Sequence, residues 1–424
     1  MTIADRFQSF IKEIQFDVGE VLTTCKEITK KLNVHYYDLS GDDRSHFYFV
    51  GSIGRQTAVK NTSDVDIIFD LPTEIYQRFD AYESNGQSAL LQEVKDVLQE
   101  RYTKTKISGD GQVVVIEFEK YTVELVPAFL RKDNTFIYPD THDGGSWKKT
   151  DPFSEQKATQ EYNELSKGVF GDVCRMVREW KNTNGVVLGG LLIDTLCYKL
   201  FSANDVYSQS GFEDYYSIMI DVFEFLKNLS KEQSFWFALG SNQKVYSKDN
   251  SFILKAREAY DKMTVAVGEN EKQDALVELF GYRFPQEETR YSLGNDTEEY
   301  IEELFPVDIK YNLVIDCTVS QNGFRTFNLR HMLRQGIILR HNKQLQFSIE
   351  KCSAPEPYDI YWKVRNVGPL AFQKNLIRGQ VIKTNCKTHR ENTCFQGPHF
   401  VECFIVKNHV CVAKDRIDVP IGSC

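Results

Sequence analysis

Apolar positions Phe7, Phe10, Ile11, Ile14, Val21, Leu22, Cys25, Ile28 and Leu32 recur at helical spacing. They predict one long amphipathic helix over residues 3–32. The period then shortens. HFYFV (46–50) predicts a short buried strand running into Gly51-Ser52, and VDIIF (65–69) predicts a second strand. VVVIEFE (113–119) and YTVELV (121–126) predict two more, with a helix over about 88–103 between these pairs. From 155 to 285 the helical period returns in DVCRMVREWK, LLIDTLCYKLF, YSIMIDVFEFLKNL and DALVELF. After residue 306 short β-rich runs alternate with turn residues, as in IKYNLVIDCTV, DIYWKVRNVG and HFVECFIVK. They predict a separate, small β-rich domain. The polar, acidic stretch between reads as a linker. The expected organisation is therefore α+β, with a core and helical lobe over 1–285, a linker over 286–305, and a C-terminal domain over 306–424.

Two acids interrupt the second predicted strand. Asp64 and Asp66 are two residues apart, so they share one strand face about 7 Å from each other. Their neighbours Val65 and Ile67 put the other face in a core. Like charges this close repel unless a cation lies between them, and a divalent metal with oxygen ligands suits the pair. A solvated acidic edge is the plain alternative for an isolated Asp-x-Asp. Two features favour the metal. Gly51-Ser52 lies at the end of the preceding strand, where glycine permits close backbone approach and a helix start attracts phosphate. Glu124, inside TVELVPAF, offers a third carboxylate. Two metals in such a cluster clamp the attacking and leaving oxygens of a phosphoryl displacement.

Composition narrows the classes. The chain has 424 residues, 42% hydrophobic and 26% charged, which suits a soluble globular protein of two or three domains. A net charge of −9 argues against a uniformly basic nucleic-acid binder and leaves room for a local basic groove. MTIADRFQSFIKEIQFD has no secretory pattern, and no apolar run reaches about 18 residues, so neither export nor a membrane span is expected. The ten cysteines, six of them after residue 350, read as reduced thiols in a cytoplasmic protein. Cys386, His389, Cys394, His399 and Cys403 lack a second tight pair at zinc-finger spacing.

Gly51-Ser52, a spacer, Asp64-x-Asp66 and Glu124 together resemble the nucleotidyltransferase superfamily that includes DNA polymerase beta, poly(A) polymerases and oligoadenylate synthases. GSIGRQTAVKNTSDVDIIFDLP, VELVPAF and YPDTHDGGSWKKTDP (138–152) look like its bacterial cyclic-oligonucleotide synthase branch. The resemblance implies a polymerase-beta-like core with a mixed sheet. It implies that Asp64, Asp66 and Glu124 bind two Mg²⁺ (or Mn²⁺), although aspartate is commoner at the third position. Gly51 and Ser52 would hold the donor triphosphate. Lys181 would reach the donor phosphates, the alternative being a solvated lysine at a helix C-terminus. Arg55 and Lys60 in the spacer could contact phosphate or be exposed. Trp147 could stack on a base or anchor a loop. Gly189-Gly190 stands where the family usually has a serine.

The activity implied is cyclic di- or oligonucleotide synthesis from NTPs, ATP among them, with release of pyrophosphate. The product would signal in antiphage defence through a separate effector. The rivals are template-free nucleotide addition to RNA or protein, and an inert nucleotide sensor. Neither a membrane nor an extended nucleic-acid duplex is an expected partner. The last 120 residues resemble the sensor domain fused to these synthases, on YWKVRN (361–366) and His399-x-Val401-Glu402-Cys403. That resemblance implies a nucleotide-derived ligand. Trp362, Arg365, Asn366 and Arg378 could stack on a base and grip phosphate, or form a packed strand with snorkelling cations.

Overall fold

The structure, a computed structural model, describes residues 1–60, 62–203, 205–286 and 298–422. Residues 287–297 of the expected linker lie outside the described residues. The fold is α+β. The chain forms two compact units, Met1–Glu179 with Gly189–Lys272, and Trp180–Leu188 with Gln273–Cys424. Among the described residues no helix is long and apolar enough to cross a membrane.

The N-terminal helix is two helices, Ile3–Ile14 and Gly19–Tyr37, which corrects the single element expected over 3–32. Gln15 turns extended and bridges to Val59, while the Lys60 amide donates to the Ile14 carbonyl at 2.8 Å. The Asp17 carboxylate then accepts from the Gly19 amide at 2.8 Å and restarts the helix. Thr2 and Asp5 cap the first helix reciprocally.

The first unit is built on a seven-stranded mixed sheet. Its strands are β1 (Phe47–Phe49), β2 (Asp64–Asp70), β3 (Lys106–Asp110), β4 (Val113–Glu117), β5 (Thr122–Leu130), β6 (Phe136–Asp140) and β7 (Ser146–Thr150). The order is β1-β2-β5-β4-β3, with β6 and β7 added beside β5. Only the β2–β5 pair is parallel. Val65, Ile67, Phe69, Val123 and Leu125 bury one face against Val21, Cys25, Ile28 and Leu32 of the second helix and Leu90, Val94 and Leu98 of the helix Gly86–Gln99. Strands β3, β6 and β7 carry Gly109, Pro139 and Lys148-Lys149, and for that reason none read as a strand. The helical lobe contains Pro152–Leu165, Val169–Thr183, Gly190–Ser202, Tyr215–Lys227 and Phe252–Val265. It also holds a small hairpin of β8 (Phe235–Phe237) and β9 (Lys244–Tyr246).

Among the described residues the second unit has eight strands: β10 (Leu313–Ser320), β11 (Phe327–Asn328), β12 (Gln344–Cys352), β13 (Asp359–Arg365), β14 (Arg378–Lys383), β15 (Thr388–Asn392), β16 (Gly397–Lys407) and β17 (Val410–Ile421). They form two antiparallel sheets, β11-β10-β12-β15 and β14-β13-β16-β17. Ile315, Cys317, Leu345 and Phe347 pack with Trp362, Val364, Val401, Cys403 and Ile405 in one core between them. Residues 298–305, expected in the linker, include the helical turn Ile301–Leu304. Ile301 packs with Val307, Ile309, Phe404 and Val406 inside this unit.

Candidate active site

Alternation along two adjacent strands sets up the site. In β2, Val65 and Ile67 are fully buried and Asp64 and Asp66 are half-buried. In β5, Val123 and Leu125 are fully buried and Glu124 is half-buried. The parallel register places Asp66 directly beside Glu124, and Asp64 beside Thr122. Neighbouring strands lie about 4.8 Å apart, so all three carboxylates occupy one small patch of one sheet face.

The Gly-Ser turn lies on this patch. The Val50 amide donates to the Asp66 carbonyl at 3.0 Å. Gly51 follows with φ +60°, and a Cβ there would stand 1.8 Å from Asp66 Oδ2. Glycine is therefore required twice over, by backbone conformation and by contact with the carboxylate. The helical turn Gly51–Gly54 begins here, and the Ser52 carbonyl accepts from the amides of Thr57 and Ala58 at 2.9 and 3.2 Å.

An all-carboxylate donor set suits a hard divalent cation such as Mg²⁺ or Mn²⁺. The bare Gly51 backbone over Asp66 also leaves room that any side chain would fill. Among the described residues no three His, Cys, Asp or Glu side chains already converge as a ligand cluster. The fit rests on the shared face and donor chemistry. A separate groove of about 720 Å³, lined by His35, Tyr36, Arg78, Phe79 and Glu93 among others, contains none of Asp64, Asp66 or Glu124.

Arg55 is not the exposed spacer cation of one expectation. Its side chain is buried, with Nε 2.7 Å from Asp194 Oδ2 and Nη1 3.2 Å from Glu155 Oε2. Arg178 grips the same Asp194 bidentately at 2.6 and 2.8 Å, and Thr57 Oγ1 donates to it at 3.0 Å. Burial drives the Asp194 carboxyl up, but Arg178 and Arg55 outweigh it and hold the group at about 2. Burial raises Glu155, against the pull of Arg55 and a hydrogen bond from Ser241. Sequence reasoning missed Asp194, Arg178 and Glu155. The available signal was a charge at a core-facing position of an apolar helix, as in LLIDTLCYKLF.

Lys181 is also paired. Its Nζ lies 2.7 Å from Asp308 Oδ1 and 3.0 Å from the Ile309 carbonyl, all within the second unit. The side chain is buried in this ion pair, so Lys181 is not the solvated lysine of the second alternative. Trp147 is an anchor: its indole N–H donates to Asp80 Oδ1 at 2.9 Å, and its ring packs on Tyr76 and Phe129. Lys60 is half-buried and pairs with Glu13.

In the C-terminal unit Trp362 is 1% exposed, donates to the Cys386 carbonyl at 3.0 Å and stacks on His389. It is a core residue, which corrects its expected role on a base. Arg365 Nε pairs with Glu298 at 3.0 Å and its Nη1 donates to the Arg378 carbonyl. Asn366 Nδ2 donates to the Leu376 carbonyl at 2.7 Å. Arg378 holds Glu391 through both Nη atoms at 2.8 and 3.0 Å. The structure brings Arg365, Asn366 and Arg378 together, but their side chains are held by protein partners. All nine described cysteines are free thiols, and burial pushes Cys25, Cys317 and Cys411 up to about 12.

A Gly-Ser turn seated on a strand Asp-x-Asp, within a mixed sheet, is the arrangement expected of a nucleotidyltransferase. Comparison with known proteins narrows the class. Residues 1–163 match the Second Messenger Oligonucleotide or Dinucleotide Synthetase domain. Residues 295–422 match the Adenylyl/Guanylyl and SMODS C-terminal sensor domain. The chain thus carries a match to the synthetase domain followed by a match to the sensor domain. It is 25% identical over 108 residues to a probable cyclic nucleotide synthase of Bacillus cereus, IK1_05630. That match spans 24% of this chain and only 32% of the relative. The fold resembles Escherichia coli MS115-1 CdnC in its complex with HORMA-deltaN, with a TM-score of 0.51 at 14% identity. The likeness covers 66% of this chain and 98% of CdnC.

Proposed function

We propose that this chain joins NTPs into a cyclic di- or oligonucleotide, releasing pyrophosphate, on a site made by Gly51, Ser52, Asp64, Asp66 and Glu124. The observation that carries the reading is the Asp66–Glu124 register with Gly51 laid on the Asp66 carboxylate. Asp64, Asp66 and Glu124 would hold two divalent cations, Mg²⁺ or Mn²⁺. When bound, these lower the pKa of an attacking sugar hydroxyl and neutralise the leaving pyrophosphate. The Gly51-Ser52 backbone amides orient the donor phosphates. Glu124, with its longer arm, takes the proton released from the hydroxyl.

Kinship with second-messenger synthases supports a product read by a separate effector in antiphage defence. The test is incubation with each labelled NTP mixture and Mg²⁺ or Mn²⁺, then phosphatase and chromatography. A phosphatase-resistant product whose formation is lost in Asp64→Ala and Asp66→Ala supports the proposal. Label transferred to added RNA or protein overturns cyclisation in favour of template-free addition, and undiminished synthesis in either variant overturns the metal assignment.

A further inference from the structure

We infer that the second unit carries a binding surface for single-stranded nucleic acid on residues 321–343, apart from Trp362 and Arg365. This stretch holds five arginines and lysines and no aspartate or glutamate, in a chain whose net charge is −9. Arg330 takes a carboxylate, Asp415 at 2.6 Å. Among the described residues Arg325, Arg334 and Arg340 pair with none. Their charge faces solvent uncompensated, and a polyanion is its complement.

Two aromatic rings stand among these cations. Phe324 is 69% exposed and Phe327 is 54% exposed, with Arg325 between them. Lys343 Nζ lies 5.6 Å from the centre of the Phe324 ring. The platform is held from beneath: Leu329 and Leu339 are buried, and the Leu339 amide donates to the Pro420 carbonyl at 3.0 Å. Exposed rings interleaved with cations are what unpaired bases stack on while the backbone is tracked electrostatically. A duplex keeps its bases stacked on one another, so the rings select a single strand.

Ile337 and Ile338 are also exposed and make an anionic lipid surface the competing occupant. Against it, inserting Phe324 would carry the Lys343 ammonium towards hydrocarbon, which is costly. An acidic polypeptide would satisfy the charge but has no planar bases for the two rings.

The test uses the full chain and fluorescence anisotropy with a labelled RNA or DNA single strand of about 12 nucleotides. Affinity is expected to fall about 50-fold between roughly 50 and 200 mM salt, the slope for about four phosphates held by Arg325, Arg334, Arg340 and Lys343. Arg325→Gln with Arg340→Gln flattens that slope. Phe324→Ser and Phe327→Ser each weaken binding about 5- to 100-fold at every salt concentration, leaving the slope and the melting temperature unchanged. The proposal is overturned by absence of strand binding, by strand binding that survives all four substitutions, by equal affinity for the matching duplex, or by displacement of the strand by phosphatidylserine vesicles or polyglutamate. Because the readout is binding, its failure is separate from failure of the synthase reading.

Discussion

Removing the charge of Asp194 should unfold the first unit more easily than any single change on its surface. The carboxylate is fully buried and takes four hydrogen bonds, two from Arg178, one from Arg55 and one from Thr57. Asp194→Asn keeps the shape but takes the carboxylate from Arg178 and leaves Arg55 with Glu155 alone. A close ion pair is worth roughly 4 kcal/mol at an effective dielectric constant near 20, and part of that is returned by desolvation. Breaking a buried pair on one side costs about 3–5 kcal/mol, the magnitude expected here. The charge-balanced double change Arg178→Met with Asp194→Leu leaves the Arg55–Glu155 pair intact. It should recover at least half of the loss, because no charge is then stranded.

The assay is urea unfolding followed by hydrogen exchange of the helix Gly190–Ser202. A single-variant loss below about 1 kcal/mol, or a double variant no better than the single, would refute the reasoning. The pH dependence gives a second check. Asp194 sits at about 2 when folded against an ordinary 3.8, so its folded value is depressed. Its contribution is fully present above the ordinary value and is lost as pH falls from about 4 through 2, by about 2 kcal/mol. Glu155, raised on folding, contributes with the opposite sign and reduces the net slope. In Asp194→Asn the Asp194 part of the acid limb should vanish.

Other outcomes follow from the same geometry. Gly51→Ala puts a Cβ against Asp66 Oδ2, so synthesis should fall at least about 10²-fold while the melting temperature moves by only a few degrees. Glu124→Gln should likewise lose about 10²-fold or more, whereas Glu124→Asp, the commoner family residue, should retain measurable synthesis; parallel Mn²⁺ titration should show weakened binding in the Gln variant alone. Trp362→Ala should destabilise the C-terminal sandwich by about 3–5 kcal/mol, read as an early unfolding transition of that unit. Full stability in that variant would show that the ring does not serve the core.

The strand alternation that flagged Asp64, Asp66 and Glu124 was legible because each acid sits between fully buried neighbours. Their register was not: which residue of β5 faces Asp66 depends on pairing between segments distant in sequence, a tertiary property. The break after Ile14 was equally hidden. Phe16 and Val18 continue the apolar pattern, and the interruption comes from Gln15 pairing with Val59. Arg55 looked like a loop cation because its partner Asp194 lies 139 residues away. Trp362 is a different case. Ile360, Trp362 and Val364 at period two already marked the inward face of β13, and the cations beside them drew the reading towards a ligand.

These placements bear on how the Gly51-Ser52 turn would work under the proposed function. Residues 51–57 are held at both ends, by Gly51 against Asp66 and by Arg55 and Thr57 on Asp194. The one arginine in that segment is neutralised by two acids and has no net charge to offer a triphosphate. Under the proposed function, anion affinity at the turn must come from backbone amides and from cations bound on the carboxylate face. Substrate binding should then depend steeply on divalent metal and little on Arg55 as a charge. The Arg55–Asp194 network supplies rigidity instead: it fixes the turn close enough to Asp66 that only glycine fits between the turn backbone and the Asp66 carboxylate.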